Sequence, residues 1–212
     1  MSSTLSVGGL QRFTTIDFPG RISAVVFCRG CTWACRYCHN AEIQDFHRRP
    51  GDIAWNDVTD FLRKRRGLLD AVVFSGGEPT AQAGLPLAIQ ECRELGYAVG
   101  LHTAGIYPER LAQVLSLVDW VGFDLKAPLD ERYDRVTLVK NSAEAVRRSL
   151  AHLQTSGVEC QLRTTYHPRL LSKRDLNEIR AEARSRGLPE PVVQNFRPQG
   201  CADTLLTSEP ES

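Results

Sequence analysis

Cys31, Cys35 and Cys38 stand at C-x3-C-x2-C spacing just after the apolar run Ser23-Ala24-Val25-Val26-Phe27. Three thiolates from one short loop can hold three irons of a cubane iron–sulfur cluster and leave the fourth iron open. An open iron can bind and reduce a substrate, whereas a fully ligated cluster mainly passes electrons. Cys28 adds a C-x2-C step ahead of Cys31, so the run also admits a four-thiolate zinc knot. Zinc ribbons usually draw two pairs from separated turns, and here all four thiols would come from one segment. The cluster is therefore the favoured reading, with Cys28 expected as a small apolar residue ending the strand. Trp33, inside the loop, is expected to shield the cluster from solvent.

Other reactive residues recur after apolar runs. Ser75-Gly76-Gly77-Glu78-Pro79 follows one, His102-Thr103-Ala104-Gly105 another, and Asp124-Leu125-Lys126, Arg163-Thr164-Thr165 and Arg197-Pro198 follow three more. The charges suit a zwitterionic ligand. Glu78 can accept hydrogen bonds from an ammonium, and Lys126 can pair with a carboxylate while Asp124 or Arg163 tunes the field. Gly76 and Gly77 are expected to remove side chains where a ligand approaches the backbone. Each feature also has an ordinary reading: a turn for the Gly-Gly pair, a surface ion pair for Asp124 and Lys126, and structural or solvent-facing roles for His102 and His167.

The apolar runs themselves predict strands at 23–27, 71–74, 98–101, 120–123, 159–162 and 192–196. They are continuous rather than alternating, as in strands covered on both faces. Amphipathic stretches predict helices over 55–65, 85–95, 108–117 and 142–157, and one capped by Ser172 that ends near Gly187. Strand alternating with helix implies βαβ units with right-handed crossovers and a parallel sheet. In parallel α/β barrels, functional residues gather at the C-terminal tips of the strands, which is where the reactive residues fall. The expected organisation is a single domain over 1–212, with its core at about 20–198 and a frayed polar tail at 204–212.

At 212 residues, 42% apolar and 24% charged, the composition is that of an ordinary globular protein. A net charge of +1 gives no reason to expect nucleic acid or an anionic membrane as the main partner. Arg63-Lys64-Arg65-Arg66 and Arg147-Arg148 read as solvated helix faces. The N-terminal residues lack the pattern of a signal peptide, and no run approaches the ~18–20 apolar residues of a membrane span. Four of the seven cysteines crowd between positions 28 and 38, which points to metal binding in a reducing compartment, the cytosol. Cys92, Cys160 and Cys201 read as buried or incidental thiols.

With these residues in hand, the chain resembles the radical S-adenosylmethionine superfamily. Cys31, Cys35 and Cys38, with Tyr37 before the last of them, are similar to its cluster signature, and Gly76-Gly77-Glu78-Pro79 to its methionine-binding motif. Val7 to Leu10, Phe13 to Gly20, Cys38-His39-Asn40, Asp124 to Pro128 and Arg163-Thr164-Thr165 resemble the activating proteins of anaerobic ribonucleoside-triphosphate reductase, among the glycyl-radical-enzyme activases. The likeness runs over roughly residues 7 to 198.

The resemblance implies an α/β fold, a partial (β/α)6 TIM-like barrel, holding a 4Fe–4S cluster. The amino and carboxylate groups of S-adenosylmethionine would chelate the fourth iron. An electron would cleave the sulfonium C–S bond to give a 5′-deoxyadenosyl radical, which would take hydrogen from a glycine of the partner. By the same resemblance, Tyr37 and His39 flank the last cluster ligand where the family contacts the adenine and the cofactor, and Asn40 completes a His-Asn pair. Gly77 and Glu78 match the methionine-amine site, Thr103 a ribose or carboxylate neighbour, Asp124 and Lys126 an Asp-x-Lys cofactor motif, and Arg163 a strand arginine near it. The implied electron donor is a flavodoxin or ferredoxin.

Two positions depart from the family pattern. Ala104 stands where an asparagine is usual, removing a side-chain amide, and Arg197 stands where related activases place a histidine near the last strand tip. Besides activation of the reductase, the sequence leaves open another glycyl-radical partner or a small-molecule substrate. A plain electron-transfer module would leave the Gly-Gly-Glu-Pro and Asp-Leu-Lys segments without a use.

Overall fold

The computed structural model describes residues 5–208. Seven strands form one sheet in sequence order: β1 (Val7–Thr14), β2 (Ser23–Cys28), β3 (Ala71–Gly76), β4 (Ala98–Thr103), β5 (Trp120–Asp124), β6 (Glu159–Tyr166) and β7 (Val192–Asn195). From β2 onward every pairing is parallel. The six expected strands are all present, and the sheet does not close, because β1 and β7 are not neighbours. This is a partial TIM-like barrel. Helices α1 (Trp55–Arg63), α2 (Leu85–Glu94), α3 (Pro108–Leu115), α4 (Glu131–Thr137), α5 (Ser142–Ser156), α6 (Lys173–Ser185) and α7 (Thr204–Thr207) complete the fold.

Three elements depart from expectation. β1 is an additional strand, antiparallel to β2, with irregular register at both ends. α4 lies where no helix is expected. The tail is not frayed over its described part, since α7 forms and Leu206 is 3% exposed. Residues 209–212 of that expectation lie outside the described residues. The predicted cap of α6 is present: Ser172 and Asp175 bond reciprocally as a capping box.

Alternation along the strands assigns each face a task. Ala24, Val26, Val72, Phe74, Val121 and Phe123 are buried in the main core with the helices. Val25, Val73 and Trp120, with Ala71, belong to a separate apolar cluster with Phe18. Phe18 comes from the loop after β1, and its ring stacks on Trp120 at 5.5 Å. This loop fills the concave side near the N-terminal strand ends with apolar side chains. Nearer the C-terminal ends the same face carries Ser75, His102, Asp124, Arg163 and Thr165, which line the main cavity. The sheet thus has a dry end and a polar end. Among the described residues no helix is long and apolar enough to cross a membrane.

Candidate active site

The cluster loop is held from several directions. Gly30 and Cys31 donate backbone N–H bonds to Ile43 and Gln44 carbonyls at 2.7 and 2.9 Å. Ala34 and Arg36 donate to Thr137 and Val136 at the end of α4, at 3.2 and 3.0 Å. Arg29, 4% exposed, forms a 2.5 Å ion pair with Asp52 that ties the base of the loop to the segment following it. From the C-terminal side, Asp203 accepts from Arg36 Nε at 2.7 Å and Cys201 Sγ donates to the Arg36 carbonyl at 3.3 Å. Trp33 is buried against the edge of Tyr133, in keeping with a shielding role.

The Gly76–Gly77 turn has a reason beyond the expected one. Gly76 has φ +109°, and a Cβ there would lie 2.6 Å from the Cys28 backbone; one on Gly77 would lie 2.3 Å from the Gly30 carbonyl oxygen. The glycines make room for the chain's own backbone, and both also line the main cavity. Two bonds cross that contact, Gly77 N–H to Cys28 O at 2.8 Å and Glu78 N–H to Gly30 O at 2.9 Å. Asn40 adds a side-chain bond to the Gly76 carbonyl at 2.9 Å. The cysteine loop and the glutamate are therefore registered to each other by main chain.

Glu78 is 1% exposed. Its Oε1 accepts from Thr80 N–H, Thr80 Oγ1 and Thr103 Oγ1 at 3.2, 2.6 and 2.7 Å, and its Oε2 from Ala104 N–H at 3.0 Å. Thr103, expected beside a ribose or carboxylate, spends its hydroxyl proton on Glu78. Ala104, which lacks the family's amide side chain, contributes its backbone N–H instead. All four donors are neutral. Burial pushes the Glu78 carboxyl above its ordinary value, and the hydrogen bonds only partly offset it. Among the described residues no cation pairs with this buried carboxylate, which favours a positively charged ligand.

Across the cavity the charges are paired. Asp124 Oδ1 accepts from Arg163 Nε at 2.9 Å, and its Oδ2 lies 3.4 Å from Lys126 Nζ. Burial would raise the Asp124 carboxyl, but Arg163 and then Lys126 outweigh it and hold it at about 2. The Lys126 ammonium also sits 5.4 Å from the Tyr37 ring centroid, within cation–π range. Gly122 permits this crowding, because a Cβ there would meet Trp120, His102 and Arg163 at 2.8–3.0 Å.

All twelve sequence-selected positions, namely the three cysteines with Tyr37, His39, Asn40, Gly77, Glu78, Thr103, Asp124, Lys126 and Arg163, line one cavity of about 240 Å3. Cys28 does not join them; it ends β2 fully buried in the main core. Burial, then the charge of Glu78, raises the Cys31 thiol to about 12; burial likewise raises Cys35, to about 11, with Lys126 opposing it. Cluster binding would displace those thiol protons. Among the described residues no three His, Cys, Asp or Glu side chains close on a single-ion site. Three thiols lining one cavity supply the donor set of a cluster with one open iron, and Glu78 and Lys126 supply the opposite charges that a zwitterion needs. The residues present fit both groups.

Several lining residues escaped the sequence reading. Asp17 and Gln44 reach the cavity from loops, and Gln194 from β7. Gln194, not Arg197, is the last-strand residue that lines it; Arg197 instead gives its carbonyl to His39 Nε2 at 2.7 Å. His102 is buried and structural, with Nε2 bonded to the Asp17 carbonyl at 2.9 Å. This agrees with the structural one of the two roles read for it from the sequence. Burial, and then the Arg163 charge, lower His102 to about 4, despite opposing pulls from Asp124 and Asp17. A histidine depressed in the folded state contributes stability above its unfolded value of ~6.5, lost as pH falls toward 4, and worth up to about 3 kcal/mol. Urea midpoints measured across that window should fall steeply for the parent and more shallowly for His102→Gln.

The open α/β sheet, the three-cysteine loop at its strand tips and the facing buried glutamate define an iron–sulfur enzyme of the partial-barrel class. A family model described as the radical SAM superfamily matches residues 25–183, and the chain belongs to that superfamily, which uses a 4Fe–4S cluster and S-adenosylmethionine. It is 30% identical over 206 residues to a candidate glycyl-radical enzyme activating enzyme of Methanocaldococcus jannaschii, covering 93% of this chain and 82% of that one. It is 28% identical over 136 residues to the pyruvate formate-lyase-activating enzyme of Clostridium pasteurianum, covering 62% of this chain and 56% of the other. Among solved structures, Streptococcus suis SuiB bound to S-adenosylmethionine shares the fold with TM-score 0.61 at 17% identity, covering 79% of this chain and 39% of SuiB.

Proposed function

We propose that this protein is a radical activase that cleaves S-adenosylmethionine reductively and removes a hydrogen atom from a glycine of anaerobic ribonucleoside-triphosphate reductase. The observation that carries the reading is the single cavity in which three thiols, a buried unpaired carboxylate and a paired Asp–Lys–Arg group face one another. Cys31, Cys35 and Cys38 would hold the cluster. Glu78, oriented by Thr80, Thr103 and the Ala104 N–H, would receive the methionine ammonium. Asp124, clamped by Arg163, would hold Lys126 against Tyr37 at the cofactor's polar end, with His39 and Asn40 beside the last cysteine. Held by these residues, the cluster would supply the one-electron reduction that cleaves S-adenosylmethionine and makes hydrogen abstraction from the glycine possible.

A protein substrate is supported by the unclosed sheet. β7 has only four residues, largely exposed, and is the last strand of its sheet, so the barrel is open between β7 and β1. A polypeptide loop can enter such an opening. Glycine suits the reaction because no side chain hinders approach and the flanking amides stabilise its Cα radical. The choice of reductase rests on the resemblance of Cys38-His39-Asn40 and Asp124 to Pro128, and similarity to pyruvate formate-lyase activases supports another glycyl-radical enzyme as the second reading.

Mixing the reduced, cluster-loaded protein with S-adenosylmethionine and the reductase should produce a doublet glycyl signal in electron paramagnetic resonance. Absence of the doublet, with S-adenosylmethionine still cleaved, would refute the reductase as target.

A further inference from the structure

Cys35 and Cys38 line two cavities, not one. The second, of about 280 Å3, lies where the cluster loop meets the end of α4 and the C-terminal segment, and it is also lined by Ala34, Arg36, Leu138 and Asp203. With Gln44, which also lines both, the two thiol-bearing residues stand between the main cleft and this outer cavity. The outer cavity therefore offers an approach to two of the three cluster-loop thiols that does not pass through the main cleft.

Its rim is built in an unexpected way. Leu138 closes α4 in the left-handed conformation, at φ 58°, a position where glycine is the unstrained choice. Its side chain is nonetheless apolar and 60% exposed. Strain retained at an exposed apolar residue points to a role for that side chain. Arg135, one helical turn earlier, and Lys140, two residues later, are exposed. Neither has an ion-pair partner among the described residues, while Arg36 is neutralised by Asp203. An apolar knob flanked by unpaired cations complements an acidic partner with an apolar centre.

Building on the functional reading above, we infer that this outer cavity and its rim are the docking surface for the electron donor, an acidic one-electron carrier protein that seats on Leu138 and pairs with Arg135 and Lys140. One electron leaves the reduced carrier and enters the cluster from this side; no bond forms or breaks. Electrostatic steering makes the encounter faster at low salt.

The test uses the cluster-loaded full chain with Leu138→Gly and Lys140→Glu, and a purified flavodoxin and a ferredoxin as probes. Calorimetry measures binding of each oxidised carrier, and stopped-flow absorbance follows cluster bleaching by the reduced carrier and, separately, by dithionite. Leu138→Gly should keep or raise the melting temperature yet weaken carrier binding about tenfold, as loss of a central contact does. Lys140→Glu should weaken binding to a similar extent and flatten the salt dependence of carrier-driven bleaching, with dithionite bleaching unchanged in both. The proposal is overturned if neither carrier binds the parent, if both variants bind and bleach like the parent, or if dithionite bleaching slows in parallel. A parent that accepts electrons from the carrier and cleaves S-adenosylmethionine without forming a glycyl radical loses the target assignment, while the docking surface stands.

Discussion

Replacing Cys35 by alanine is expected to abolish cluster assembly and S-adenosylmethionine cleavage together, leaving a folded chain. Cys35 sits in a loop held by main-chain bonds from α4 and from residues 43 and 44, so loss of its thiol removes a proposed ligand without removing the loop's supports. Outer-shell changes at metal sites already cost about 10–100-fold, and loss of one of only three anchors should exceed that. The control is Cys28→Ala. Cys28 is fully buried at the end of β2 and is absent from the cavity lining, so its truncation should cost about 1 kcal/mol of stability and leave iron content intact. Iron analysis with the visible absorbance of reconstituted protein checks both. Retention of a full cluster by Cys35→Ala, or its loss in Cys28→Ala, would reverse the ligand assignment.

Glu78→Gln is expected to weaken S-adenosylmethionine binding by roughly a hundredfold, since a hydrogen bond between two charged groups is worth about 1.5–3 kcal/mol. The effect on the ligand-free protein should be small for a definite reason. The ionised carboxylate carries a burial penalty that its four neutral donors only partly offset, and glutamine relieves that penalty while losing an acceptor at one backbone N–H. A raised carboxyl makes folding less favourable as pH climbs through its folded value, and the substitution removes that dependence. Thermal shifts with and without ligand separate the two effects: the parent should gain melting temperature with S-adenosylmethionine, and Glu78→Gln should gain almost none at the same concentration. An equal shift in both would remove Glu78 from the binding role.

Much of this site was legible in the sequence because its residues mark strand tips. A continuous apolar run ending in Ser-Gly-Gly-Glu, or in Asp-Leu-Lys, places its polar residues at the C-terminal end of a buried parallel strand, and the strands then bring those ends together. The same logic made β2 to β7 readable. What stayed hidden depended on partners far apart in sequence. β1 carries Gly8 and Gly9 and exposed residues at 11–13, so neither propensity nor alternation announces it; pairing with β2 makes it a strand. Phe18 looks like a turn residue until Trp120, about a hundred positions later, supplies its stacking partner. Likewise α7 and Leu206 are ordered through contacts such as Arg36–Asp203 and His167–Leu206, which a polar tail does not reveal. The glycines of the Gly-Gly-Glu-Pro turn stand out in the sequence, but their contact with the cluster loop's own backbone needed three-dimensional neighbours.

The most direct test of the account is release of 5′-deoxyadenosine by the anaerobically reconstituted protein given dithionite and S-adenosylmethionine, quantified by chromatography. The parent should release it in amounts that scale with cluster content. Intact S-adenosylmethionine alongside a fully loaded, reduced cluster would contradict the claim that this cavity joins the two.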